Sequence, residues 1–188
     1  AHPEWRDQIA SFLWALDVTD IFRIQVIRND KGLETVGISH CFVNAKGTEA
    51  YGQTFMNESL SLRRLILIAV SFFEAFSKEK IIVIDDFGQL LHPYVLTHIV
   101  EIFHANDMES QLIVVDCNPA LLQKDLMRKD SIWFAEKGEE SSTEFVSLSD
   151  FRGIKAKQSI YDGYLQGIFG ALPIESDFCF QNKVKENN

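Results

Sequence analysis

The sequence predicts an α/β fold: a mainly parallel sheet with flanking helices and antiparallel hairpins beside it. Two observations carry this reading. The runs Ile81-Ile82-Val83-Ile84 and Leu112-Ile113-Val114-Val115 are unbroken, rich in β-branched residues, and end on acids, Asp85-Asp86 and Asp116. Strands buried on both faces of a parallel sheet read this way. Each run is then followed by a proline, Pro93 and Pro119, that suits the first turn of a crossover helix because its missing N–H is not needed there.

Taken in order, Trp5, Ile9, Phe12, Leu13 and Leu16 recur at steps of three and four and predict a helix from Glu4 to Leu16. Ile21 to Ile27 alternates, Asn29-Asp30-Lys31-Gly32 supplies a turn, and Thr35 to Val43 is again β-branched, which predicts an antiparallel hairpin. Gly47 and Gly52 are read as a second turn region. Glu58 to Phe76 is apolar on nearly all sides in its middle and predicts a buried helix ended by Lys78-Glu79-Lys80. A helix from Pro93 to about His104 follows the first acidic strand end, and a helix starting at Pro119 follows the second. Ser131 to Glu136 and Glu144 to Leu148 predict a hairpin at the sheet edge, Ser149-Asp150 a helix start, and Ser159 to Gly167 a helix stopped at Gly167 or Gly170. Residues 1–180 are read as one domain and 181–188 as a frayed, charged tail.

Length and composition narrow the function classes. The chain has 188 residues, 46% of them hydrophobic, enough for a sizeable core. Its formal charge of −9 argues against direct nucleic-acid contact, since phosphate neutralisation needs a basic face. Leu65 to Phe73 is too short to cross a bilayer, so no membrane association is expected. Cys41, Cys117 and Cys179 are few and scattered, with no paired spacing, and are read as free thiols of a cytoplasmic protein. The first residues, Ala1-His2-Pro3-Glu4, carry no initiator Met and suggest a processed product or a fragment.

The most informative feature is IIVIDD followed by FGQLLHP, from Ile81 to Pro93. A hydrophobic strand ending in paired acids is the Walker B pattern, in which Asp85 would hold Mg²⁺ and Asp86 would polarise an attacking water. Such a strand presents both groups rigidly at the carboxyl end of the sheet, where open α/β sheets bind ligands. Strand-terminal acids also serve as caps or loop solubilisers, so the pattern alone is only moderately specific.

Further segments make the chain resemble the ABC-type, AAA-labelled ATPases of prokaryotic defence and abortive-infection systems. They are Glu58-Ser59 ahead of a helix, LLHP at Leu90 to Pro93, QLIVV at Gln111 to Val115, RKDSIWFAEK at Arg128 to Lys137, STEFVSLSDF at Ser142 to Phe151 and YLQGIFGALP at Tyr164 to Pro173. The resemblance spans about Phe12 to Pro173 and implies a partial P-loop NTPase fold, like the carboxyl-terminal portion of an ABC ATPase head. It also implies Mg²⁺ and ATP as cofactors, and a homodimer or an effector or nuclease partner. The G-x-x-x-x-G-K-S/T loop that cradles phosphates is not in this sequence.

The departures fall on the chemical positions. In the signature-like stretch Glu58, Ser59 and Ser61, the serine at 61 replaces a glycine that admits close backbone approach. Asp86 stands where the resemblance has a glutamate, shorter by one methylene. Gly88 and Leu90 replace an aspartate and a serine, Cys117 occupies the switch histidine position, and Ile168 replaces an arginine. The expectation is a degenerate ATPase-like domain acting by association. One alternative is a fragment of an active Mg-dependent hydrolase using Asp85 and Asp86. Another is a metal-dependent phosphohydrolase built on Asp85, Asp86 and Asp116, against the plainer reading that Asp116 caps the segment at Pro119.

Other candidates are weaker. His92, His98 and His104 step by six residues, which turns successive side chains by roughly 120° and prevents convergence on a metal; with His2 and His40 they are read as surface or packing histidines, and His92 as fixing the helix start. Arg63-Arg64 is read as a solvated face, Cys117 as an unreactive thiol, and Phe72, Phe73 and Phe76 as core.

Overall fold

The computed structural model describes residues 3–28, 30–106, 109–123, 126–138, 140–152 and 159–173. Cys179, His2 and residues 181–188 lie outside them. Contacts gather into two compact units, Ala1–Leu121 and Leu122–Asn188.

In the first unit, helix α1 (Pro3–Ala15) is followed by β1 (Ile21–Arg28), β2 (Glu34–Asn44) and β3 (Gly47–Thr54), which form an antiparallel sheet in chain order. The expected hairpin is present, with Ile24 opposite Ile38 and Val26 opposite Val36. β3 is a correction to the turn expected at Gly47 and Gly52. Its sequence, GTEAYGQT, is mostly exposed and poor in strand formers. What makes it a strand is a full ladder with β2, closed by a tight turn in which Gly47 takes a φ of 122° that side chains disfavour.

A short 3₁₀ turn, Phe55–Asn57, leads into α2 (Leu60–Lys78), whose N-cap Ser59 accepts a hydrogen bond from the Leu62 N–H. Then come β4 (Ile81–Ile84), α3 (Pro93–Ala105) and β5 (Gln111–Val114), with β4 and β5 paired in parallel, Ile82 beside Leu112. Phe72 on α2 is fully buried and joins three helices: its ring lies 6.1 Å from Phe12 of α1, 5.8 Å from Phe76 and 5.2 Å from Phe103 of α3. The helical periodicity read from the sequence is thus the packing face.

Two expectations about the sheet are corrected. Among the described residues the parallel sheet has two strands, and the larger sheet is antiparallel. Nor are β4 and β5 covered on both faces: Ile81 (62% exposed), Val83 (66%), Ile113 (49%) and Val115 (55%) project into solvent, while Ile82, Ile84, Leu112 and Val114 alternate with them and are half-buried. An unbroken β-branched run predicts two covered faces, but it cannot tell which chain supplies the second cover.

In the second unit, β6 (Trp133–Lys137) and β7 (Thr143–Ser147) form the expected hairpin as a sheet of their own. The helix expected at Pro119 is a single 3₁₀ turn, Pro119–Leu122, and the one at Ser149-Asp150 is another, Leu148–Asp150. Helix α4 (Ile160–Leu165) has Ser159 as its N-cap, and Gly167 follows with a φ of 74°. Phe134 stacks on Tyr164 at 5.7 Å and on Phe169 at 5.5 Å, inside a cluster with Leu122, Ile132 and Leu148. Gly163 is required here, since a Cβ would sit 2.8 Å from the Phe169 ring.

Candidate functional site

β4 delivers Asp85 and Asp86 to its carboxyl end, beside the strand that ends near Asp116, as the sequence predicts. Both carboxylates are exposed. The backbone around them is tightly held. Arg64 of α2 donates through Nη2 to the Asp85 carbonyl at 2.9 Å and the Asp86 carbonyl at 2.7 Å, and the Asp86 N–H donates to Asp85 Oδ1 at 3.0 Å. Arg64 is therefore a half-buried clamp rather than part of a solvated face, a role that sequence spacing did not reveal.

After Asp86 the chain turns sharply. Asp86 (φ 49°) and Leu90 (φ 66°) both take the left-handed conformation, which costs a non-glycine residue about 1–2 kcal/mol and must be held by its surroundings. Three ties hold it. Phe87 is fully buried and its N–H donates to the Val115 carbonyl at 3.1 Å. The Gly88 N–H donates to Asp116 Oδ2, while Asp116 Oδ1 accepts from the Asn118 N–H at 2.7 Å. Ser61 Oγ donates to the Leu90 carbonyl at 2.8 Å.

Two of the departures noted in the sequence are therefore structural partners of this turn. A glycine at 61 could not make the bond to Leu90. At position 88 a Cβ would lie 2.7 Å from Leu96 Cδ2 and 2.8 Å from Asp116 Oδ2, so an aspartate there could not coexist with this arrangement. His92 caps α3 by accepting from the Tyr94 N–H at 3.2 Å, which is the role the sequence predicts. Cys117 is a free, exposed thiol, and Cys41 is also free.

Asp116 accepts a backbone N–H on each carboxylate oxygen and Asn118 in turn caps Ala120, which is the capping role set against the phosphohydrolase reading on Asp85, Asp86 and Asp116. Among the described residues no group of three or more His, Cys, Asp or Glu side chains is arranged to hold a metal ion. For Mg-ATP the fit is partial. Asp85 offers one carboxylate, and the first turn of α2 is already capped by Ser59. The sequence holds no lysine-bearing phosphate loop.

The signature-like segment carries a feature that sequence reasoning missed. Glu58 is 7% exposed and His40 3%; the His40 ring bridges Glu58 Oε1 from Nε2 at 2.8 Å and Asp20 Oδ2 from Nδ1 at 2.7 Å. Burial works against the imidazolium, but hydrogen bonds to Glu58 and then Asp20 outweigh it and hold the His40 pKa above its ordinary value. The only sequence signal was a histidine at an inward-facing strand position.

No family model and no curated protein matches the chain. A solved structure does: a chain from a study of the ATP-driven dimerization and DNA-stimulated activation of SMC ATPases is similar, with a TM-score of 0.53 and 13% identity, over 76% of this chain and 82% of that one. That likeness is one of fold.

Proposed function

We propose that this chain is a degenerate ABC-type ATPase-like domain that does not hydrolyse nucleotide on its own and acts through association, with itself or with an effector or nuclease partner. The fold likeness to an SMC ATPase structure supports the ATPase-like part of this reading, and a role in a cytoplasmic defence module is what the sequence resemblance to defence ATPases suggests. The observation that carries the reading is the lock on the acidic turn. Gly88 with Asp116, and Ser61 with Leu90, convert positions that would face nucleotide into backbone ties. The scaffold is kept and the phosphate grip is not.

Titration of the chain with Mg-ATP tests this. No saturable binding in the micromolar range is expected. Micromolar binding abolished by Asp85→Asn would replace this reading with the second one, a piece of a working ATP hydrolase with Asp85 as Mg²⁺ ligand and Asp86 as base. The specific observation favouring that reading is the open face of β4 and β5, which a further lobe bearing a phosphate loop would cover.

The same face gives a stability prediction. Val83→Glu changes a side chain that is two-thirds exposed, so thermal unfolding should shift by no more than about 0.5 kcal/mol. If association uses this face, light scattering should show that variant losing self-association or partner binding while its unfolding curve stays in place.

A further inference from the structure

Building on the reading by association, we propose that the open face of β4 and β5 docks a single amphipathic helix of a partner chain, apolar along one side and basic at one end. Strand alternation builds the face. Ile81, Val83 and then Asp85 are exposed along β4 and the residue after it, and Ile113, Val115 and then Cys117 along β5 and its continuation. The two rows lie side by side, with Val83 beside Ile113 in the parallel register. Each row is aliphatic until the carboxyl end of its strand, where it turns polar.

The dimensions select the occupant. Four paired residues span roughly 13 Å along the strands, and the strands lie about 5 Å apart. A helix is about 10 Å across and rises about 1.5 Å per residue, so two to three turns of one helix cover the face. A globular partner needs more. A standard interface takes roughly 800 Å² from each side, and four aliphatic side chains between half and two-thirds exposed present about half of that. Helices are also what covers the faces of parallel sheets, as α2 does on the other side of β4.

Charge selects the chemistry of the helix end. Asp85 and Asp86 stand exposed at one rim of the face, and among the described residues neither carboxylate has a cationic side chain in ion-pair range, because Arg64 is spent on their carbonyls. A Lys or Arg at the end of the helix supplies that cation. A second copy of this chain does not. Stacked with strands parallel, it sets Asp85 against Asp85. Stacked antiparallel, it brings Asp85 to a rim where Lys78 and Lys80 are both held by Glu74 and where Glu79 and Glu109 are exposed. The formal charge of −9 on each copy opposes either arrangement.

Fluorescence anisotropy of a labelled peptide titrated with the intact chain tests this. The probe is a helix-forming peptide of about 20 residues with Leu along one stripe, Gln elsewhere and two Arg at one end; its control has Glu in place of Arg. Saturable binding is expected for the Arg peptide, and binding about tenfold weaker for the Glu peptide. Val83→Glu and Ile113→Glu, with unfolding curves unchanged, should each weaken the Arg peptide by about tenfold or more, since each buries an unpaired charge under it. Asp85→Asn should weaken it about threefold, the size of one lost surface ion pair. Docking should also slow alkylation of exposed Cys117 and leave Cys41 unchanged. No saturable binding, equal binding of the two peptides, or a site untouched by both glutamate substitutions would overturn the proposal. So would sedimentation showing a dimer of this chain that Val83→Glu abolishes, since the occupant would then be a second copy. Mg-ATP is titrated without peptide and peptide without nucleotide, so failure of the association reading and failure of this site are told apart.

Discussion

Phe72→Ala is expected to destabilise the first unit by about 3–5 kcal/mol, the range for deleting a fully buried aromatic ring. The ring touches Phe12, Phe76 and Phe103, so its removal loses transfer free energy and leaves a cavity bounded by three helices. Partial collapse is limited because α1, α2 and α3 would all have to move. Urea unfolding followed by helical circular dichroism should show a lower midpoint with an unchanged slope. A loss under 1 kcal/mol would mean that the three helices do not share this core. Phe73, next in sequence but only half-buried, serves as the comparison and should cost less.

Much of this packing was legible in the sequence because it rests on period. Trp5 to Leu16 and Leu65 to Phe76 repeat apolar residues at helical steps and lie on helices with Phe12, Leu13, Leu65, Ile68, Ala69 and Phe72 buried, while the helix at Pro93 was legible from its proline. The strand ends were legible too, since β-branched runs closed by acids leave few alternatives. What failed was what depends on partners distant in the chain. β3 owes its extension to a ladder with β2 and not to its own residues. β4 and β5 read as doubly covered although one face is bare, because hydrophobicity records that a face wants covering and not what covers it.

The site divided along the same line. Asp85 and Asp86 were found from local pattern and stand where the pattern put them, at the end of a strand. Arg64 reads as part of a solvated face and His40 as a surface or packing histidine, because nothing within a few residues of either hints at the carbonyls or carboxylates they meet 18 to 22 residues away. Gly88 and Ser61 were visible only as departures from a resemblance. Both are partners of one turn, tied to Asp116 and to the Leu90 carbonyl.

Asp116→Ala is the prediction that separates a structural acid from a chemical one. The carboxylate accepts from the Gly88 N–H and the Asn118 N–H, and hydrogen bonds to a charged group contribute about 1.5–3 kcal/mol each. Both donors are partly buried, so alanine should destabilise the first unit by about 2–4 kcal/mol, less than the sum because water can reach the Asn118 side. Asp116→Asn keeps one acceptor oxygen, while its amide nitrogen would face a backbone N–H, and it should fall between wild type and alanine. An acid kept for chemistry behaves differently: its removal usually leaves stability unchanged or raises it, since active sites hold charge at a stability cost. Equal or greater stability in Asp116→Ala would therefore undo the claim that the acidic turn is locked as scaffold. A graded loss from asparagine to alanine would confirm that the turn after β4 is held shut by the strand beside it.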